Sequence, residues 1–80
     1  MNALIKNKVN TLSRLLKSER SIEFQHNNLY YEVSEAANRG YVVNVYSSNE
    51  KDDDQQYLES NLLDGGLCTG SEREAIAFML

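Results

Sequence analysis

The residues that could do chemistry fall short of every motif they approach. The chain holds one cysteine and one histidine, Cys68 and His26, which make a nucleophile–base pair only if the fold brings them together. Cys68 precedes a helix start, a position that lowers a thiol pKa. A phosphatase-type loop, however, needs its arginine one place beyond Arg73, where Glu74 stands. Cys68 therefore reads as a small buried apolar residue and His26 as a solvated turn residue. Gly65-x4-Gly70 opens like a phosphate-binding loop, but Ser71 occupies the place of the lysine. Asp64, Glu72 and Glu74 would also repel a phosphate there. Asp52-x-Asp54-x-Gln56 opens like a calcium loop, yet Tyr57 takes the glycine position and Leu63 the final ligand position. Carboxylates are plentiful, and no spacing singles out an acid and a base. The expectation is a protein without catalysis, metal or cofactor.

An 80-residue chain that is 41% apolar and 25% charged is expected to form one globular domain over residues 1–80. Its core is thin, so pairing with another chain is favoured and an enclosed pocket is not. A single cysteine fits a reducing cytoplasm, and apolar runs of two or three residues exclude a membrane span or secretory leader. The net charge of −4 is unevenly distributed. Residues 1–20 carry +4 and residues 21–80 carry −8. An acidic body behind a basic helix repels a phosphate backbone, so direct nucleic-acid binding is not expected.

The elements that must position these groups follow from periodicity. Residues 2–18 read as an amphipathic helix, with Ile5, Val9, Leu12 and Leu16 as its stripe and Leu4 and Leu15 widening it. Lys8 lies inside that arc and is expected to snorkel. Alternation predicts strands at 21–26, 29–34 and 41–46, with His26-Asn27-Asn28 and Asn38-Arg39-Gly40 as turn chemistry. These three strands make an antiparallel meander. Glu50, Asp52, Asp53 and Asp54 precede Leu58 and Leu62, the pattern of a short helix over 50–63 that Asp64-Gly65-Gly66 ends. Ser71 to Glu74 fits a capping box opening a last helix over 71–80, with Ala75, Ile76, Met79 and Leu80 on one side. The expected fold is α+β in the order α-β-β-β-α-α, the first helix lying on the sheet.

What remains for function is a surface. If Ile22, Phe24, Leu29, Tyr31, Val33, Tyr41, Val43 and Val45 face the helices, the other face shows Glu23, Tyr30, Glu32, Val42, Asn44 and Tyr46. Tyrosines and Val42 among glutamates suit a protein partner with arginines or lysines. The acids Glu50, Asp52, Asp53 and Asp54 either start a helix or extend the docking surface. The expected partner-binding residues are thus Glu23, Tyr30, Glu32, Val42, Tyr46, Glu50, Asp52, Asp53 and Asp54. A solvated sheet face or a homodimer contact is the alternative use of the same surface.

In size, acidity and lack of a catalytic motif, the chain resembles small phage or mobile-element proteins that block host defence, anti-CRISPR proteins among them. That resemblance implies an inhibitor occupying a basic, nucleic-acid-handling surface of another protein. Residues 40–45 (GYVVNV) and 66–75 (GLCTGSEREA) resemble the strand and strand-to-helix segments of HicB-type antitoxins. The residues between them depart from that family's compact pattern, and no DNA-binding appendage follows Leu80. This second resemblance implies the antitoxin partner of a toxin.

Overall fold

The computed structural model describes residues 3–37 and 40–78, with side chains from Asn7 onward. Helix α1 (Ala3–Glu19) is followed by strands β1 (Ser21–His26), β2 (Leu29–Glu35), β3 (Tyr41–Tyr46) and β4 (Leu62–Cys68), and by helix α2 (Glu72–Ala77). The strands form one antiparallel sheet in the order β1-β2-β3-β4. Both helices lie on one side of it, α1 against β1 and α2, and α2 against β3. No helix among the described residues is long and apolar enough to cross a membrane.

The core forms where the two helices meet the sheet. Val9 and Leu16 from α1 pack with Val33, Val43, Cys68, Ala75 and Ile76, while Leu12, Ile22, Phe24 and Tyr41 border them. Leu16, Ile76, Val9, Val33 and Val43 are the largest side chains with almost no exposed surface. Ser13 is buried among them and gives its hydroxyl hydrogen to the Val9 carbonyl one turn back, so no polar atom is stranded. Phe24 and Tyr31, opposite each other on β1 and β2, stack with centroids 4.9 Å apart. The Lys8 ammonium lies over the Phe24 ring, 5.7 Å from its centre, and donates to the Gln25 carbonyl, so this lysine of the apolar arc keeps its charged head at a polar partner. Leu15 does not widen the stripe: it is 47% exposed. The side chains of Leu4, Ile5 and Lys6 lie outside the described residues, as do Asn38 and Arg39.

The connections explain the register. Asn27 and Asn28 both adopt positive φ, 52° and 64°, which a two-residue hairpin turn requires. Gly40 has φ 105°, and a Cβ there would stand 2.1 Å from the Cys68 carbonyl oxygen, so β3 can start beside the end of β4 only with glycine. Ser71 caps α2, accepting from the Glu74 N–H as its sequence anticipates. Helix α2 covers Glu72–Ala77 rather than 71–80; Ala75 and Ile76 are buried, and Met79 and Leu80 lie outside the described residues.

The expected helix over 50–63 is not formed, and the expected three-stranded sheet has four strands. Lys51 and Tyr57 instead pair across a small hairpin. The Asp52 and Gln56 backbones bond at 2.9 Å, and Leu58 N–H donates to the Glu50 carbonyl. Gln55 adopts φ 63°, which no helix accommodates, and the Asp52 carboxylate accepts from the Asp54 and Gln56 amides at 2.9 and 3.1 Å. Aspartate therefore builds a turn here, its commoner use, and does not oppose a helix dipole. A 3-10 turn over Glu59–Asn61 leads into β4, so Asp64-Gly65-Gly66 lies inside a strand and not at a helix end. The glycine at 65 has a packing reason: a Cβ would approach the Asn44 side-chain oxygen at 2.6 Å.

Candidate protein-binding face

Strand register sorts the side chains turned away from the helices into three rows. Gln25, Tyr30, Tyr46 and Leu62 form one row across the sheet; Glu23, Glu32, Asn44 and Gly65 form the next; Ser21, Ser34, Val42 and Leu67 form the third. The face expected from alternation is therefore the observed one. It is not bare. The 51–57 hairpin folds over it and sets the Tyr57 ring 4.8 Å from Tyr46 and 6.4 Å from Tyr30. Tyr46 is buried as a result.

Glu23 and Glu32 stand directly opposite each other on β1 and β2, a like-charge pair that weakens a sheet by about 0.2–1 kcal/mol. Lys51 relieves it from above. Its ammonium lies 2.7 Å from a Glu23 oxygen and 4.9 Å from the centre of the Tyr57 ring. The Glu23 bond raises the Lys51 pKa. Glu32 accepts from the Asn44 amide at 3.3 Å and from the Tyr46 hydroxyl at 3.5 Å. Burial, and then the Glu32 charge, raise the Tyr46 pKa; burial, and then Glu23, raise that of Tyr57.

The structure thus gathers Glu23, Tyr30, Glu32 and Tyr46 in one patch and carries Glu50, Asp52, Asp53 and Asp54 beside it on the hairpin. Val42 is separated from the tyrosines by the Glu32–Asn44 row and sits instead next to Leu67. Sequence reading missed Tyr57 and Lys51, which hold the hairpin in place. One signal was available: Tyr57 is the only aromatic in the polar stretch after Tyr46. Among the four hairpin acids, Asp52 has a structural task as acceptor in the turn; Glu50, Asp53 and Asp54 are exposed.

The other candidate groups are dispersed. His26 is not in the turn but ends β1, half-buried, with the Lys8 ammonium 3.4 Å from its Nδ1. It pairs with Leu29 at one end of the sheet, whereas Cys68 pairs with Tyr41 at the other, so the two do not meet. No group of His, Cys, Asp or Glu side chains among the described residues is arranged to hold a metal ion. On the helix side, Asn10, Ser13, Arg14, Lys17, Ser71, Glu72 and Arg73 line a shallow groove of about 460 Å³ between α1 and α2. There Arg73 donates to the Asn10 side-chain oxygen. The described cations of α1 and Arg73 thus lie on the helix side, together with Glu19, Glu72 and Glu74. Glu23, Glu32 and the hairpin acids lie on the open side, where Lys51 is the cation beside them.

Fold and face together describe a small α+β chain with an acidic, tyrosine-bearing sheet surface. The chain matches no protein-family model, no curated protein and no solved structure.

Proposed function

We propose that this chain is an acidic protein-binding module. It inhibits or modulates a partner by occupying a basic, nucleic-acid-handling surface, in the manner of phage or mobile-element anti-defence proteins. One observation carries the reading. Glu50, Asp53 and Asp54 add exposed negative charge to a hairpin whose turn needs only Asp52, and that hairpin is fastened beside the Glu23–Glu32 pair. Carboxylates grouped around phenol rings on a sheet attract and orient arginine or lysine side chains. The chain has no catalytic task in this reading, and it acts by covering its partner.

A second reading, the antitoxin partner of a toxin, is favoured by a different observation. The two antitoxin-like segments lie side by side, Val43 beside Gly66 and Val42 beside Leu67, and the second runs on into α2.

Affinity capture from the source cells tests the first reading. The bait is the chain itself, at low and high salt, beside the variants D52N/D53N/D54N and E23Q/E32Q. A nucleic-acid-binding protein retained by the unmodified chain at low salt, and lost with either variant, supports it. Retention unaffected by both variants, or capture of a toxin instead, removes it.

A further inference from the structure

The groove between α1 and α2 lies across the sheet from the acidic face and takes no part in it. Asn10, Arg14 and Lys17 stand at i, i+4 and i+7, so they form one stripe along α1, and Arg73 of α2 completes the wall. Arg73 is fixed there: its guanidinium donates to the Asn10 side-chain oxygen and ties the two helices together. The nearby carboxylates are turned elsewhere. Burial, and then the Glu72 carboxylate beside it, raise the Tyr41 pKa, so Glu72 faces that hydroxyl. Glu74 lies against Gly70, and Glu19 falls on the opposite side of α1 from the stripe. Among the described residues the one ion pair is Lys51 with Glu23, beyond the sheet. Arg14, Lys17 and Arg73 therefore have no carboxylate at ion-pair distance among those residues.

The side-chain hydrogen bonds already made leave the groove rich in donors. The Asn10 oxygen is taken by Arg73, the Ser71 oxygen by the Glu74 amide, and the Ser13 hydroxyl hydrogen by the Val9 carbonyl. What remains is two guanidinium forks, an ammonium, the Asn10 amide hydrogens and the Ser71 hydroxyl hydrogen. Three cations against Glu72 leave a surplus of two positive charges, which matches the charge of a phosphate monoester. We infer that this groove binds a small phosphate monoester of a polar molecule, such as a sugar phosphate, with the phosphoryl oxygens held by Arg14, Lys17 and Arg73. The guanidinium forks match phosphate oxygens in geometry, and the lysine adds a point charge. Asn10 and Ser71 are left to donate to the ligand's hydroxyl oxygens. A groove of about 460 Å³ is of small-molecule size. No aromatic or apolar side chain lines it, so neither a nucleobase nor a hydrophobic peptide side chain finds a seat there. A nucleic-acid backbone is opposed further by the acidic charge of the rest of the chain. The inference does not rest on the acidic face, which stays open when the groove is filled.

Amide NMR of the unmodified chain tests it, with ribose phosphate added at constant ionic strength and about pH 7.5, where the ester carries close to two charges. Saturable shifts are expected at residues 10–17 and 71–73, with the 51–57 hairpin unmoved and ribose alone without effect. Arg14 and Lys17 are exposed, so R14Q/K17Q should keep its fold by circular dichroism. It should bind at least about tenfold more weakly, having lost bonds to a charged group. R73Q provides a second variant with the same expected direction. K8Q/K51Q removes as much charge outside the groove and should bind as the unmodified chain does. Three results would overturn the inference. One is the lack of a saturable shift up to about 10 mM ester. Another is equal weakening by K8Q/K51Q and R14Q/K17Q, which would make the effect one of net charge. The third is tighter binding of a phosphoserine peptide or a single-stranded oligonucleotide, which would assign the groove to a macromolecule.

Discussion

Replacing Tyr57 with Ala removes the ring that fastens the acidic hairpin to the sheet. Tyr57 is half-buried, so about half of the 1.5–3 kcal/mol for fully burying a large apolar side chain is lost, roughly 1 kcal/mol. The ring pair with Tyr46, centroids 4.8 Å apart, adds about 0.5–1.5 kcal/mol beyond area. The total is about 2 kcal/mol, which in a domain of this size lowers Tm by roughly 8–16 °C. The Lys51 ammonium loses its aromatic floor in the same step. Urea and thermal unfolding measure the global loss. Hydrogen exchange at the Asp52, Gln55 and Leu58 amides, which bond within the hairpin, measures the local one. Both are expected to change in Tyr57→Ala and neither substantially in Tyr57→Phe, which keeps the ring. A Tyr57→Ala protein with unchanged Tm and unchanged hairpin exchange would refute the anchoring of the hairpin through this side chain.

Three further outcomes are expected. Leu16→Ala, at the centre of the helix–sheet contact with no exposed surface, should cost about 2–5 kcal/mol in denaturant titration, more than Leu12→Ala at the margin. Cys68→Ser should fold with a loss of about 1–3 kcal/mol from burying a hydroxyl, and partner capture should be unchanged; lost capture in a folded protein would give the thiol a functional role. Alkaline pH should destabilise the fold. Tyr46 and Tyr57 hold their protons more tightly when folded than the ordinary value of 10.0, so their contribution is complete below that value and is lost as pH rises through the folded pKa. Lys51, raised by its Glu23 bond, acts in the same direction above 10.5. Denaturation midpoints at about pH 8 and about pH 11 should therefore fall at the higher pH, and by less in a Tyr57→Phe protein.

The sheet was legible where side-chain alternation and turn chemistry agreed. Ile22 and Phe24, then Tyr31 and Val33, then Val43 and Val45 keep a strict two-residue period, and Asn27-Asn28 can adopt only a few turn conformations. Strand β4 had no such period. Asp64-Gly65-Gly66 interrupts the leucines and has poor strand propensity. Its place is set by pairing with β3 and by the room that Gly65 leaves for the Asn44 side chain, a tertiary cause invisible along the chain. The hairpin was misread for a related reason. Leu58 and Leu62 are spaced as in a helix, and an acidic run suits a helix start, but the Gln55 backbone and the attraction of Tyr57 to Tyr46 prevail. The open face was legible as a list of residues. That Val42 stands apart from the tyrosines, and that Lys51 reaches Glu23, required the third dimension.

The central claim is that the hairpin acids draw in a basic partner. The association rate of the captured partner, measured across ionic strength for the unmodified chain and D52N/D53N/D54N, tests it most directly. Asparagine keeps the turn-building side-chain oxygen at position 52 while removing charge, so the variant should remain folded. Long-range attraction acts on the encounter and is screened by salt. The account predicts severalfold slower association of the variant at low salt, converging with the unmodified chain at high salt. Equal association rates at every ionic strength would contradict it.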